Sequence, residues 1–409
     1  MRIVHVTDCY LPRLGGIEMQ VHDLAVQQRK AGHDVQVITR TAADGPDQDG
    51  LVVHRVPGLV DGVPGLSMRA ALRRLLTSGE IDVVHAHASL VSPLVWNAGA
   101  LASAAGLPTV VTMHSVPPPG LILRVVGTAV GWTRWKVRWT AVSQVAAKPL
   151  RYMVAGQEVA VLGNGVAAEA WTLPPYHPQP GELTIVSVMR LAQRKRPMPL
   201  VRTLAAIRKQ VPAHIRVRAI IMGEGPRRED IERALRKRDM QSWVSLPGAC
   251  SREQIRETYR TADVYLAPAR LESFGIAALE ARSAGLPVIA MSVGGVREFV
   301  RHGVEGFLVR TDSEMASVTA RLLTNPERLR VIREHNARTV PEMTWDHMLE
   351  RSMAHYLRAA SIAGIALPEP QPLSATSRGS APEQTAERAA DTRLLPASGT
   401  ADEAARRLL

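Results

Sequence analysis

Two glutamates flank a turn whose backbone could bind an anion. Glu272 follows the predicted strand Val264–Ala267, and Glu280 lies about a turn and a half into the helix that comes next. Backbone N–H groups at the start of a helix form an anion site because they have no partner within the helix. Three residues would present such groups: Phe274, Gly275 and Ile276. We therefore expect an anion at the turn, a ribose diol at Glu280 and a further polar group at Glu272.

Cations and a second glycine turn follow the first two strands predicted in the second half of the chain. Arg190 and Lys195 come after the predicted strand Leu183–Val188 and could clamp a pyrophosphate. Gly223 and Glu224 follow the next strand and form a turn at the same sheet edge. A solvated basic turn and a structural ion pair are the alternative interpretations. Three sites in register at one edge favour a phosphate-binding site.

The first half of the chain contributes a glycine pair and a histidine. Gly15 and Gly16 follow the first predicted strand, Ile3–Thr7, where open α/β sheets bind ligands. An ordinary strand-to-helix turn would also explain this pair. His114 ends the strand Val110–Met113, and this position favours a site over a purely structural role. No G-x-G-x-x-G follows any candidate strand, which disfavours a dinucleotide-dependent dehydrogenase.

Strand and helix patterns alternate along both halves, which predicts an α/β protein with two parallel, doubly wound sheets. The predicted strands of the first half are Ile3–Thr7, Val35–Thr39, Val52–Val56, Val83–Ala86, Val110–Met113 and Thr140–Ser143. Those of the second half are Leu183–Val188, Val217–Met222, Val244–Leu246, Val264–Ala267, Pro287–Ala290 and Gly306–Val309. We expect domains at 1–172 and 182–338, joined by a proline-rich linker at 173–181. Residues 367–409 lack a stable period and predict a disordered tail.

Composition limits the class of protein. The chain has 409 residues, 46% of them hydrophobic and only 4% aromatic, which suits helices packed on parallel sheets. Its two cysteines, Cys9 and Cys250, define no disulfide framework and favour a reducing compartment. Neither a signal peptide nor a membrane-spanning run is evident, so we expect a cytoplasmic protein.

The net charge of +12 raises nucleic acid as a possible partner. The cations are spread through the chain, and no nucleic-acid-binding motif accompanies them. We expect no nucleic acid. A phosphorylated or lipid-bound substrate explains a basic cleft at least as well.

The segment from Glu272 to Glu280 resembles the E-x7-E motif of the retaining GT-B glycosyltransferases. That family includes bacterial phosphatidylinositol mannosyltransferase and the mycothiol-pathway glycosyltransferase. Similar segments run from Met1 to about Tyr356: Tyr10–Glu18, Asp82–His87, Leu162–Val166, Gly285–Ala290, Gly294–Glu298 and Gly303–Val309. One departure is Ala167, where the family usually has aspartate after the Asn164–Val166 segment.

The resemblance implies two Rossmann-like domains with the active site in the cleft between them. A terminal helix, expected at 339–362, would cross back to the first domain. The reaction would transfer a mannose- or glucose-type hexosyl group from a GDP-, UDP- or similar sugar, with retention of configuration. The acceptor would be lipid-linked or a small phosphorylated molecule. No metal or other cofactor is expected, and the polar turn Asp47–Asp49 is interpreted as a turn and not as a metal-binding D-x-D motif.

The resemblance also implies roles for individual residues. Arg190 and Lys195 would bind the donor diphosphate, with Gly16 near it from the other lobe, and Glu280 would hold the ribose. Glu272 would contact the transferred sugar. His114 would lie beside the sugar and acceptor. Two alternatives stay open: a catalytically silent binding subunit and a nucleotide-sugar epimerase.

The segment before the sixth strand suggests how a lipid acceptor could be reached. It has no Asp or Glu between Val83 and Gln157 and contains Trp132, Trp135 and Trp139 among basic residues. A basic, tryptophan-bearing helix could rest on an anionic membrane. That would make the protein peripheral on the inner face of the plasma membrane. The alternative is that the apolar face belongs to the core.

Overall fold

Apolar runs that end at turns form the strands of two parallel sheets. A computed structural model describes residues 1–43, 48–56, 66–76, 81–118, 121–174 and 181–367. All of these lie in one compact unit, Met1–Pro370. Within it, each sheet with its helices is called a lobe.

The first lobe is built on a seven-stranded sheet with the order β3-β2-β1-β4-β5-β6-β7. Its strands are β1 (Arg2–Thr7), β2 (Asp34–Thr39), β3 (Val52–Arg55), β4 (Val83–Ala88), β5 (Thr109–Met113), β6 (Arg138–Ala141) and β7 (Val159–Val161). All neighbouring strands pair in parallel. The winding reverses between β1 and β4, so the loops after these strands open a crevice for ligands.

The second lobe repeats this plan with six strands in the order β10-β9-β8-β11-β12-β13. They are β8 (Glu182–Val188), β9 (Arg216–Met222), β10 (Val244–Gly248), β11 (Val264–Ala267), β12 (Val288–Met291) and β13 (Gly306–Val309). Here the winding reverses between β8 and β11. The predicted fold of two doubly wound parallel sheets is therefore confirmed.

Helices cover both sheets. In the first lobe they are α1 (Gly16–Lys30), α2 (Leu66–Leu76), α3 (Pro93–Ala104), α4 (Leu121–Val130), α5 (Gln144–Met153) and α6 (Ala168–Trp171). In the second they are α7 (Pro197–Gln210), α8 (Arg228–Arg236), α9 (Arg252–Thr261), α10 (Ile276–Ser283), α11 (Asp312–Leu323) and α12 (Pro326–Arg338). Buried strand residues lie beneath them because both faces of a parallel sheet must be covered.

The last described helix, α13 (Trp345–Ala363), packs on β5, β6 and α1 of the first lobe. Its Tyr356 joins the buried cluster formed by Ile3, Val83 and Val110. Nearer its start, Trp345 lies against Gly165, where an added Cβ would come within 2.5 Å of the indole ring. The chain thus returns to its first lobe after completing the second.

Three predicted segments fall wholly or partly outside the described residues. Most of the predicted linker (175–180) and the tail beyond residue 367 lie outside them, as does Asp47. Asp49 is described, and its carboxylate accepts a hydrogen bond from His22 Nε2 at 2.9 Å.

Candidate active site

The loop after β8 and the turn before α10 meet through one ion pair. Lys195 Nζ lies 2.6 Å from Glu272 Oε2. Arg190, on the same loop, is exposed. An open pocket lined by Lys195 and Glu272 lies between the ends of β8 and β11. The predicted site residues Lys195 and Glu272 are therefore in contact, although they are far apart in sequence.

The turn before α10 depends on a glycine. Gly275 has φ +100°, and a Cβ there would lie 2.8 Å from Val296 Cγ2. Gly295 N donates to the Glu272 carbonyl at 2.8 Å and holds the turn from the other side. The start of α10 is thereby held beside the Lys195–Glu272 pair, as an anion site requires.

Glu280 is buried on α10 and lies near a charged contact between the lobes. Burial raises its pKa from 4.5 to about 7, although nearby Arg252 opposes that shift. Arg252, at the start of α9, forms an ion pair with Asp23 of α1. Glu280 thus lies where the two lobes meet, and its ionisation is costly until a ligand supplies donors.

Gly223 and Glu224 both make contacts within the second lobe. A Cβ on Gly223 would overlap the Met189 carbonyl oxygen, so the glycine allows the loops after β8 and β9 to touch. Glu224 Oε1 accepts from Arg228 Nη1 at 2.5 Å. Their predicted donor contacts stay a prediction.

The glycine pair of the first lobe faces the turn before α10. Gly15 precedes the first residue of α1, and a Cβ on Gly16 would lie 3.7 Å from Ile276 Cδ1. Phe274 reaches across as well, since a Cβ on Gly163 would lie 3.4 Å from its ring. The predicted glycine loop and the predicted anion turn are therefore opposite each other in the cleft.

His114 lies directly after β5 and is almost fully buried. Its Nε2 lies 3.0 Å from Nδ1 of His87, at the end of β4. Burial lowers the pKa of His114 to about 4, so the ring is neutral at pH 7. Sequence reasoning identified His114 but gave no role to His87, whose alternation with His85 on β4 was the available signal.

A cluster of three buried histidines lies behind His114. Ligand atoms of His5, His85 and His87 all lie within 4.8 Å of one another, a spacing that could hold a metal ion. Each ring nitrogen of the three has a hydrogen-bond partner among the described residues. Hydrogen bonding therefore accounts for the cluster without an ion.

Asp8, to which the sequence analysis gave no role, connects the loop after β1 to the start of α3 and to Arg40. Its carboxylate accepts from the backbone N–H groups of Leu94 and Val95, each at 3.1 Å, at the start of α3. Arg40 Nη1 lies 3.3 Å away. Burial raises the pKa of the Asp8 carboxyl, whereas these hydrogen bonds act in the opposite direction and lower it. Only the fold reveals this role, because its partners are distant in sequence.

The proposed tryptophan-bearing membrane helix is wrong in one respect. Trp132 and Trp139 are buried, and Trp135 stacks on Trp139 at 5.9 Å between ring centroids. These rings belong to the hydrophobic core of the first lobe, because their apolar surface packs inside it. Exposed residues nearby include Arg124, Val125, Val130, Arg134 and Lys136. Among the described helices, none is both long and apolar enough to cross a membrane.

Each of the two lobes matches a known protein family. Residues 174–339 match the family described as Glycosyl transferases group 1, and residues 14–170 match Glycosyltransferase Family 4. The chain therefore carries a Glycosyl transferases group 1 domain in its second lobe and a Glycosyltransferase Family 4 domain in its first. The two matched regions together take in nearly all of both sheets, so the similarity does not depend on one motif.

Curated proteins similar to this chain include eukaryotic and bacterial glycosyltransferases. It is 29% identical to the phosphatidylinositol N-acetylglucosaminyltransferase gpi3 subunit of Schizosaccharomyces pombe, over 86% of this chain and 79% of that protein. It is also 29% identical to the D-inositol 3-phosphate glycosyltransferase of Jonesia denitrificans, over 86% of this chain and 93% of that protein.

Solved structures confirm the GT-B fold. Anabaena HepE in complex with UDP and glucose superposes with a TM-score of 0.69 at 19% identity, covering 88% of this chain and 99% of HepE. WaaG, a glycosyltransferase involved in lipopolysaccharide biosynthesis, gives a TM-score of 0.64 at 18% identity, over 88% of this chain and 98% of WaaG.

Proposed function

We propose that this glycosyltransferase moves a mannose- or glucose-type hexosyl group from a nucleoside diphosphate sugar to an acceptor hydroxyl, with retention of configuration and without a metal ion. The observation that carries the proposal is the convergence at the cleft. Gly16 of one lobe faces Ile276 of the other, beside the Lys195–Glu272 pair.

Each part of the donor would have a partner in the second lobe. Arg190 and Lys195 would bind the diphosphate together with the N–H groups at the start of α10. Glu280 would accept from both ribose hydroxyls. Glu272 would release Lys195 to the diphosphate and accept hydrogen bonds from the sugar.

Departure of the diphosphate would be driven by fixed charges. Negative charge develops on the leaving oxygen as the glycosidic bond breaks, and preorganised donors at that point lower the barrier. Lys195, Arg190 and the positive end of α10 would supply this stabilisation, which is why we propose a reaction without metal. The acceptor would enter on the same face of the sugar, beside His114.

Two findings support the choice of substrates to be tried. Solved HepE structures contain UDP and UDP-glucose, which favours a nucleotide sugar as donor. The names of two relatives specify phosphatidylinositol and D-inositol 3-phosphate, which favours an acceptor that carries inositol phosphate. A lipid-linked acceptor would bring the protein to the inner face of the plasma membrane as a peripheral protein.

The donor is tested first, by thermal unfolding with UDP, GDP, ADP and dTDP. A nucleotide at a hundred times its dissociation constant should stabilise the fold by about 2.7 kcal/mol. The Arg190→Ala/Glu280→Ala variant should lose this stabilisation. Arg202→Ala, which removes an exposed cation on α7, should keep it. A folded protein that no nucleotide stabilises would favour a silent subunit and contradict the proposal.

The reaction is tested next with the sugar of the nucleotide that binds. Transfer to inositol phosphate or phosphatidylinositol should persist in EDTA, and the product should keep the donor's anomeric configuration. Comparing free inositol phosphate with phosphatidylinositol vesicles separates the two forms of acceptor. Donor turnover without any acceptor, giving an epimeric sugar nucleotide, would instead identify an epimerase.

A further inference from the structure

His114 is the end of a buried row of hydrogen bonds. Its Nε2 meets His87 Nδ1 at 3.0 Å, and His87 Nε2 meets His5 Nδ1 at 2.8 Å. His5 Nε2 then meets Gln28 Oε1 of α1 at 2.7 Å. This half of the row connects β5, β4, β1 and α1.

The row continues through the helix that returns from the second lobe. Gln28 Nε2 donates to the Tyr356 hydroxyl of α13 at 2.7 Å, and that hydroxyl lies 2.9 Å from His85 Nδ1. His85 Nε2 lies 2.7 Å from Thr112 Oγ1, which lies 2.6 Å from Thr140 Oγ1. We call the eight residues from His114 to Thr140 the histidine chain.

All four imidazoles of the histidine chain are neutral at pH 7. Burial lowers the pKa of His5 and His114 to about 4. Burial also lowers the pKa of His85 and His87 well below 6.5, and the neighbouring histidines add to the shift. A neutral imidazole has one N–H and one accepting nitrogen. Each ring can therefore donate in only one direction along the chain.

The direction of donation is fixed at the Thr140 end. Thr140 donates to the Val111 carbonyl oxygen at 3.3 Å, and a carbonyl can only accept. Since each hydroxyl has one proton, Thr140 accepts from Thr112, which accepts from His85 Nε2. His85 Nδ1 therefore accepts from the Tyr356 hydroxyl.

The same direction carries through to His114. With its hydroxyl proton given to His85, Tyr356 accepts from the Gln28 amide, as the amide orientation has it. Gln28 Oε1 then accepts from His5 Nε2, and His5 Nδ1 accepts from His87 Nε2. His87 Nδ1 is left to accept from His114 Nε2. His114 must carry its proton on Nε2.

We propose that Gln28 and Tyr356 are positioning residues that hold His114 in the Nε2-protonated tautomer. Its Nδ1 then keeps a lone pair and presents a hydrogen-bond acceptor to a hydroxyl of the sugar or the glycosyl acceptor. No described residue hydrogen-bonds to that nitrogen. The contact with substrate rests on the proposed function, whereas the tautomer does not.

The tautomer is measured directly in the full chain labelled with nitrogen-15 on its histidine rings. Long-range proton–nitrogen spectra distinguish an N–H nitrogen from a bare one, and His114→Gln identifies the His114 signals. We expect the Nε2-protonated form in the wild type. A wild-type His114 protonated on Nδ1 overturns the proposal whatever the variants do.

Two nearly isosteric variants then test the positioning residues. Gln28→Met and Tyr356→Phe remove partners of the chain and should give a mixture of His114 tautomers. The kcat should fall about tenfold, the equivalent of one lost hydrogen bond, with nucleotide affinity unchanged. Met348→Ala, which truncates another buried residue of α13, should lower stability without changing the tautomer.

The tautomer of His114 and the value of kcat test two different parts of the proposal. Variants that leave the tautomer of His114 pure overturn the positioning role of Gln28 and Tyr356. A mixed tautomer with unchanged kcat overturns the contact between Nδ1 and substrate. Nucleotide binding by the wild type is unaffected by either result, so failure here is distinguishable from failure of the proposed donor site.

Discussion

Glu280 lowers the stability of the unliganded protein, and its proposed role in holding the ribose explains why a destabilising carboxylate lies there. Burial raises its folded-state pKa to about 7, above its ordinary value of 4.5. The folded protein therefore binds more protons than the unfolded chain between these values, and this residue's contribution to stability falls as pH rises through them. Each unit of the shift is worth about 1.4 kcal/mol, so the carboxylate is a destabilising group at neutral pH.

Glu280→Gln should therefore raise the melting temperature at pH 8 and change it little at pH 4. The amide has no ionisation to suppress, so the difference should grow as pH rises from 4.5 to 7. The same variant should lose nucleotide binding if Glu280 holds the ribose. Thermal unfolding across this pH range with and without nucleotide measures both, and a lower melting temperature at pH 8 would contradict the expected sign.

Glu272→Gln separates sugar recognition from nucleotide recognition. The substitution removes the carboxylate that lies 2.6 Å from Lys195, which frees that cation for the diphosphate. Free nucleotide should bind at least as tightly as to the wild type, while transfer falls by about 100-fold, as on removing a transition-state contact. Isothermal titration and initial rates test this, and weaker nucleotide binding would argue that Glu272 serves the nucleotide instead.

Among the structural elements, α13 depends on close approach to the first lobe. At Gly165 an added Cβ would lie 2.5–2.8 Å from ring atoms of Trp345, the first residue of that helix. Gly165→Ala should destabilise the fold by about 1–3 kcal/mol, because a buried methyl has to displace the indole. Chemical unfolding measures the loss, and Trp345→Phe in the same chain should recover part of it.

Elements with an apolar pattern were predicted from sequence, and those without it were missed. Strands such as β11 and β12 are continuous apolar runs between turns, so their type was evident. Strand β7 has only three residues, Val159–Val161, too few to show a period. Helix α12 is rich in charge, and only its Asn325 cap and Pro326 signalled its start.

The candidate site divides in the same way. The proposed donor-binding residues could be grouped from sequence because Glu272, the start of α10 and Glu280 lie close together in the chain. The histidine chain was not, because it joins β1, β4, β5, β6, α1 and α13, whose packing no local pattern specifies. Arg252 and Asp23 were missed for the same reason, since their ion pair forms only when the lobes meet.

At the scale of the whole molecule, the buried histidines should make the fold sensitive to mild acid. Their folded-state pKa values are depressed, so the unfolded chain binds protons that the folded protein does not. The stability they preserve is complete above pH 6.5 and is lost as pH falls from 6.5 towards 4.

The melting temperature should accordingly fall through that window, with each unit of pKa shift worth about 1.4 kcal/mol per residue. The Glu280→Gln background removes the opposing contribution of that carboxylate. His85→Gln should weaken the pH dependence. A melting temperature that stays flat between pH 7 and 5 in the Glu280→Gln background would contradict burial of neutral histidines.

The return of α13 to the first lobe also sets the order in which the protein can be completed during synthesis. Tyr356 follows His85 by 271 residues and Gln28 by 328. At roughly 5–20 residues per second, the ribosome needs on the order of tens of seconds to make that stretch. Until then, buried polar groups of the first lobe lack a partner that only the end of the fold supplies. The lobe that emerges first is therefore the last to be finished.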